Sequence, residues 1–214
     1  MIKLYNEPLS GNCYKLRLLM ALLDLPYERI PVNFHPGREH KRPAFLALNP
    51  FGQLPVIDDD GFVLRDAQAI LVYLATRHDP EARWFPAEAR QRAQVVLWLT
   101  VAEDITRTAS AARLHDGFGY DFDAPACRAA AHKLFAHVDA TLADSEAEGR
   151  QWLVGDRATL ADIACFPYIA LAPEGGVDLA RYPALRRWIG RIKRLPGFVG
   201  MPGIFEVGVD AQPA

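Results

Sequence analysis

Ser10 and Cys13 stand three residues apart, separated by Gly11 and Asn12, just ahead of a run of apolar residues at helical spacing. A helix N-terminus offers unpaired N–H groups and a partial positive charge, so a thiolate or another anion is stabilised there. Cysteine at both positions would make this turn a C-x-x-C redox site. With serine first, the turn cannot exchange disulfides through that position, but the hydroxyl can donate a hydrogen bond to a thiolate carried by another molecule. The same residues also suit a purely structural turn, in which Ser10 caps the helix and Cys13 is a small core residue. From the residues alone both readings stand.

Three further stretches can bind or position a ligand. In Asn49-Pro50-Phe51-Gly52-Gln53-Leu54-Pro55-Val56, Pro55 between Leu54 and an apolar run is a candidate cis-proline. A cis bond there would turn the backbone N–H and C=O of Leu54 towards an extended peptide rather than into a sheet; otherwise the stretch is a turn before a hairpin. Arg65-Asp66-Ala67-Gln68 opens a helix, where backbone N–H groups favour a carboxylate and Asp66 can pair with an ammonium, or else simply caps the helix. His40-Lys41-Arg42 can neutralise a carboxylate or form a solvated charged face. The six histidines make no H-x-x-x-H or H-E-x-x-H pattern, so no metal site is expected.

The hydrophobic pattern predicts the elements that hold these residues. Ile2 to Tyr5 reads as a strand, Asn12 to Asp24 as a helix with Leu16, Leu19, Met20 and Leu23 on one face, and Tyr27 to Val32 as a second strand. Pro31 within that strand points to a sheet edge. Asn33 to Arg42 is a polar surface loop or broken helix. Two short apolar runs, Val56 to Asp58 and Phe62 to Leu64, flank Asp59-Asp60-Gly61, a hairpin signal. Asp66 to Arg77 then reads as a helix with Ile70, Leu71 and Leu74 on one face. Strands alternating with helices in this order make an α/β unit with a mixed four-stranded sheet.

Beyond His78 no strand pattern follows. Residues 79–87 read as a linker, and residues 88–214 as an all-helical domain after an α/β domain at 1–78. Its helices are expected at Glu88 to His115, Pro125 to Ala143, Thr159 to Ala172 and Pro183 to Leu195, with Thr159 and Asp162 as a capping pair. Among 214 residues, 24 basic side chains face 26 acidic ones, for a net charge of -2. That balance excludes a nucleic-acid footprint. The longest apolar run, Ala69 to Ala75, excludes a membrane span. Three cysteines without metal spacing, Cys13, Cys127 and Cys165, and no signal-peptide pattern point to the cytoplasm.

Taken in order, four segments resemble the glutathione transferase family: Asn49 to Val56, the helix start through Ala69 to Ala75, Thr159 to Ala164, and Tyr182-Pro183 leading to Leu195 to Phe198. The resemblance implies a thioredoxin-like domain that binds glutathione as co-substrate without a metal, a helical domain that lines the site of a small electrophilic substrate, and a homodimer. It makes Ser10 the catalytic hydroxyl, with Leu54 and Pro55 holding the cysteinyl backbone of glutathione. Gln53 would contact the peptide, Asp66 and Ala67 the γ-glutamyl end, and His40 and Lys41 the glycyl carboxylate. Leu9, Arg107 and Arg113 are candidates for the second-substrate site, the two arginines as guides for an acidic substrate or as exposed helix surface. Family members commonly carry serine where this chain has Ala67. Its loss removes one hydrogen bond to a charged group, on the order of 1.5–3 kcal/mol. Two alternatives follow: a catalytically weak binding or scaffold protein, or a glutathione-dependent thiol reductase acting through Cys13.

Overall fold

The structure, a computed structural model, describes residues 1–205 of the chain. A four-stranded sheet of order β2-β1-β3-β4 forms first. Strand β1 (Ile2–Asn6) buries Ile2, Leu4 and Asn6 on one side, the period-2 pattern of a strand. It pairs in parallel with β2 (Tyr27–Pro31) and antiparallel with β3 (Val56–Asp59), which pairs antiparallel with β4 (Phe62–Arg65). Pro31 lies on the edge strand, where its missing N–H is tolerated. The hairpin turn is two residues, Asp60 and Gly61, both at positive φ (50° and 93°). The primed turn that such angles make matches strand twist, and Asp59 therefore joins the ladder opposite Phe62.

Helix α1 (Gly11–Leu22) differs from the single-faced helix its leucine spacing suggests. Every residue from Cys13 to Met20 is buried. It packs against α3 (Ala67–His78) and against α7 (Leu160–Ala170) of the helical half, so charged Lys15 and Arg17 are buried with the leucines. Arg17 resolves this by donating to Asn6 Oδ1 (2.5 Å) and to the carbonyls of Glu7 (3.3 Å) and Pro8 (2.9 Å). The turn that carries Ser10 is thereby tied to its own helix.

Residues 33–42 are not a fully solvated loop. They form a 3₁₀ turn at Glu39–Lys41, followed by the short helix α2 (Pro43–Leu46), and His40 is buried. Val32, Phe45 and Val56 make a small apolar cluster with Tyr5 and Leu54 at its margin, which seats the cis Leu54–Pro55 bond. A second cis bond, His35–Pro36, has no counterpart in the sequence reading.

The helical half comprises α4 (Ala89–Ile105), α5 (Ala111–Phe118), α6 (Ala124–Ala147), α7 and α8 (Pro183–Ile192). The long helix expected over Glu88 to His115 is interrupted by a π-helical turn at Thr106–Ser110. Thr106 and Thr108 bond back to the carbonyls of Ala102 (2.9 Å) and Asp104 (2.8 Å) here, the side-chain competition that loosens a helical ladder. α7 is apolar on all sides and correspondingly buried. Its capping box places Asp162, fully buried, within reach of the N–H groups of Leu153 (3.2 Å) and Thr159 (2.9 Å) and of Trp188 Nε1 (2.7 Å). One continuous core joins both halves, from Ile2 and Leu4 through Phe166 to Ile192.

Candidate functional site

A cleft of about 390 Å³ opens between the loops of the sheet half and the helical segment from Glu103 to Phe118. It brings together ten of the residues singled out from sequence: Leu9, Ser10, His40, Lys41, Gln53, Leu54, Pro55, Asp66, Ala67 and Arg113. Arg107 is not among its lining. It lies exposed on the helix surface, within 3.4 Å of Glu103 and 3.8 Å of Asp104.

At Ser10 the structure shows the cap directly. The residue is the N-cap of α1, and its Oγ accepts the Cys13 N–H at 3.2 Å. That bond uses an oxygen lone pair, and the hydroxyl proton remains free to be donated. Capping thus leaves the hydroxyl able to donate. Tyr168 of α7 reaches the same corner, where its hydroxyl accepts the Asn12 N–H at 3.3 Å. Its ring packs so closely on Gly11 that a Cβ there would lie 2.7 Å from Cε1. Burial raises the Tyr168 phenol above its ordinary range, with bonds from Ser110 and Asn12 pulling the other way, so it stays protonated. Cys13 is fully buried, and burial raises its thiol likewise.

The Leu54 segment is held by side chains that were expected to hold a ligand or not singled out at all. Buried Asn49 donates from Nδ2 to the Gln53 carbonyl (2.8 Å) and accepts the Phe51 N–H (3.1 Å). Lys41 Nζ donates to the carbonyls of Phe51 (3.3 Å) and Gly52 (3.2 Å). Gly52 has φ 57°, and a Cβ there would meet the His40 carbonyl at 2.7 Å, so glycine is required. His40 stacks on Phe34 at 3.8 Å, and its buried Nδ1 has no hydrogen-bond partner among the described residues. Burial lowers its pKa, and Lys41 and Arg38 add to the effect, so it presents a neutral imidazole rather than a cation.

At the opposite end, Asp66 adopts φ 76° and accepts the Ala69 N–H at 2.9 Å. It caps α3 and lines the cleft at once. A non-glycine residue at positive φ is strained, and the cap bond helps hold it. Beside it, Gln68 donates from Nε2 to Glu103 Oε2 (3.1 Å), joining α3 to the helical wall.

Arg113, which the sequence offered as a guide for an acidic substrate or as exposed helix surface, is engaged within the protein. It is buried, donates from Nε to Glu174 (2.5 Å) and from Nη1 to the Leu9 carbonyl (3.0 Å), and lies over the Phe118 ring. It therefore clamps the Ser10 turn to the helical half. Leu114, Phe118 and Tyr120 supply the apolar and aromatic lining of that wall, Phe34 lines the cleft from the loop after β2, and His35 of that loop meets Phe118 edge-on at 5.9 Å. Sequence reasoning missed Asn12, Glu103 and Tyr168. For Tyr168 a signal existed, as a hydroxyl within the otherwise apolar stretch from Ile163 to Ala172. Among the described residues no group of three or more His, Cys, Asp or Glu side chains is arranged to hold a metal ion.

Comparison with known proteins agrees with this architecture. The glutathione S-transferase N-terminal domain profile matches residues 9–77, and the C-terminal domain profile matches residues 108–196. A maleylacetoacetate isomerase of Pseudomonas aeruginosa is 32% identical, covering 87% of this chain and 88% of its own. A glutathione S-transferase structure from Pseudomonas fluorescens superposes with a TM-score of 0.85 at 33% identity, over 94% of this chain and 98% of the other. A glutathione transferase homolog from Lodderomyces elongisporus, solved with two glutathione molecules per subunit, gives a TM-score of 0.82 at 27% identity, over 92% and 94%. With a four-stranded mixed sheet followed by a helical half, and with both domain profiles matched in order, the chain belongs to the glutathione S-transferase family.

Proposed function

We propose that the cleft binds glutathione with its sulfur at Ser10, its cysteinyl backbone at Leu54 and Pro55, and its γ-glutamyl end at Asp66 and Ala67. Gln53 contacts the peptide, while neutral His40 and Lys41 lie at the glycyl end. The protein then stabilises the thiolate for attack on a neutral, largely apolar electrophile. The observation that carries this reading is the Ser10 hydroxyl, which caps α1 through its oxygen and keeps its proton for a sulfur at the helix N-terminus. A free thiol of pKa near 8.5 is only a few per cent ionised at pH 7, so a shift of about two units makes thiolate the main form.

Neutrality of the second substrate follows from the arginines. Arg113 is engaged by Glu174 and the Leu9 carbonyl, and Arg107 lies outside the cleft. Isomerisation of a dicarboxylate, the activity named for the Pseudomonas aeruginosa relative, would call for free cations on the helical wall that these two do not supply. Turnover assays comparing a neutral aromatic electrophile with a dicarboxylate test this, and faster reaction of the dicarboxylate would refute it. One observation favours a scaffold instead: Ala67 offers no hydroxyl to the γ-glutamyl carboxylate. Glutathione binding by calorimetry without turnover on any electrophile would establish that alternative.

We also place the glutathione-binding domain at residues 1–78, a linker at 79–87 and the second-substrate domain at 88–214, in a cytoplasmic homodimer. Phe51, Phe62, Val96 and Leu97 are large apolar side chains left exposed in the single chain, which supports a partner copy. A monomeric mass in sedimentation at micromolar concentration would count against the dimer.

A further inference from the structure

Lys15, on the second turn of α1, is fully buried, and its Nζ has no hydrogen-bond partner among the described residues. Lysine is almost never found in that state unless paired. α7 faces it with Cys165 and with Tyr168, whose ring centroid lies 5.6 Å from Nζ. From α4 Glu103 bears on it, and from the start of α3 Asp66 does. Burial lowers the ammonium to about 8, with the carboxylates of Glu103 and Asp66 pulling the other way, so it is mostly charged at neutral pH.

Of these neighbours, Tyr168, Glu103 and Asp66 line the cleft. Tyr168 also accepts the Asn12 N–H, two residues from Ser10. A buried charge without a hydrogen-bond partner works against stability, and an apolar side chain of similar length would not carry that penalty. A charge kept at such a place acts on a neighbouring group, and in the poorly screened interior its field reaches across several ångströms.

We propose that Lys15 is a positioning residue of the thiol site, its buried ammonium adding to the positive potential that keeps the sulfur of glutathione ionised at Ser10. The proposal rests on the glutathione reading of the cleft. It extends the anion-stabilising set beyond the helix N-terminus and the serine hydroxyl to a group that touches no ligand.

Lys15→Met retains length and removes charge. Its test is ultraviolet titration of bound glutathione, alongside calorimetry with S-methylglutathione, which has no ionisable thiol, and urea unfolding. The bound thiol is expected to rise by on the order of one pKa unit, leaving up to tenfold less thiolate near neutrality. Turnover should fall in proportion, S-methylglutathione binding should change far less, and the urea midpoint should hold or increase. A bound thiol pKa that does not move overturns the proposal, whatever the midpoint does. If Lys15→Met does not fold, Lys15→Gln carries the same readout. Wild-type protein that binds neither glutathione nor S-methylglutathione would refute the glutathione reading itself. Wild-type binding with a depressed thiol pKa that the variant shares would refute only the role of Lys15.

Discussion

Replacing Ser10 perturbs two interactions at once, and the structure shows how to separate them. The first is the cap: Oγ accepts the Cys13 N–H, and losing such a bond to alanine costs about 1 kcal/mol of stability. The second is the proposed donation to the glutathione sulfur. A hydrogen bond to a charged acceptor contributes about 1.5–3 kcal/mol, equivalent to roughly one to two units of thiol pKa. Ser10→Ala loses both. Ser10→Asp restores the cap, since aspartate is an equally good N-cap, but it cannot donate and it adds a negative charge beside the sulfur. Urea midpoints should therefore rank wild type and Ser10→Asp together above Ser10→Ala. The bound thiol pKa should rank differently, lowest in wild type, higher in Ser10→Ala and highest in Ser10→Asp. Glutathione itself should bind Ser10→Ala nearly as well, because contacts at Leu54 and Asp66 remain. Cys13→Ala, at a buried packing position, should leave the thiol titration unchanged. The measurement is ultraviolet thiolate titration on each variant, with stability measured in parallel. If the thiol pKa in Ser10→Ala matches wild type, the hydroxyl is only a cap. Loss of activity in Cys13→Ala with activity kept in Ser10→Ala would make the protein a cysteine-type reductase.

Ala67→Ser should tighten glutathione binding, by no more than about tenfold because water already solvates part of the γ-glutamyl carboxylate; calorimetry showing no gain would place that carboxylate elsewhere. Arg113→Met should lower stability by about 1–3 kcal/mol through the orphaned Leu9 carbonyl and Glu174. It should shift the kcat/KM ratio of a dicarboxylate to a neutral electrophile by less than about threefold; a selective loss for the dicarboxylate would make Arg113 a substrate-binding cation after all. Asp162 has its carboxyl raised to about 6 by burial, against the bonds from Trp188, Thr159 and Leu153. Its native proton is thus held more tightly than in the unfolded chain, so this group's contribution to stability is fully present below pH 4. It should decline by roughly 3 kcal/mol as pH rises to 6 and beyond. Urea unfolding across that range should show this slope in wild type and lack it in Asp162→Asn.

Periodicity and turn chemistry made the order of elements legible. Alternation marked β1, Asp60-Gly61 marked the hairpin, and leucine spacing marked α1 and α3. The Ser10 and Asp66 caps were equally visible, because capping is a local act of one side chain on the next turn. What stayed hidden depends on partners far along the chain. Leucine spacing predicts one buried face for α1, and only the packing of α7 against it buries Lys15 and Arg17. The π turn at Thr106–Ser110 arises from competing threonine bonds that leave the apolar period almost intact. His40 looked solvated beside Lys41 and Arg42, and nothing in that triplet foretells its stacking on Phe34.

The basic residues around the cleft show the same limit most sharply. A lysine or arginine near a binding site is easily read as a hand held out to an anion. Here Arg17 donates to the carbonyls of Glu7 and Pro8, Arg113 to that of Leu9, and Lys41 to those of Phe51 and Gly52. All five carbonyls belong to the two turns that present Ser10 and Leu54. Arg17 grips the Ser10 turn from its own helix and Arg113 from the helical half, so the hydroxyl is held between them. In the proposed reading, an anionic sulfur is met by groups with no formal charge, the serine proton and the α1 N–H groups, with the field of Lys15 behind them. Such groups need accurate placement more than charge, because a hydrogen bond weakens steeply with misalignment. Removing one of the clamping cations should therefore act on turnover through the geometry of the turn rather than through the charge of the substrate.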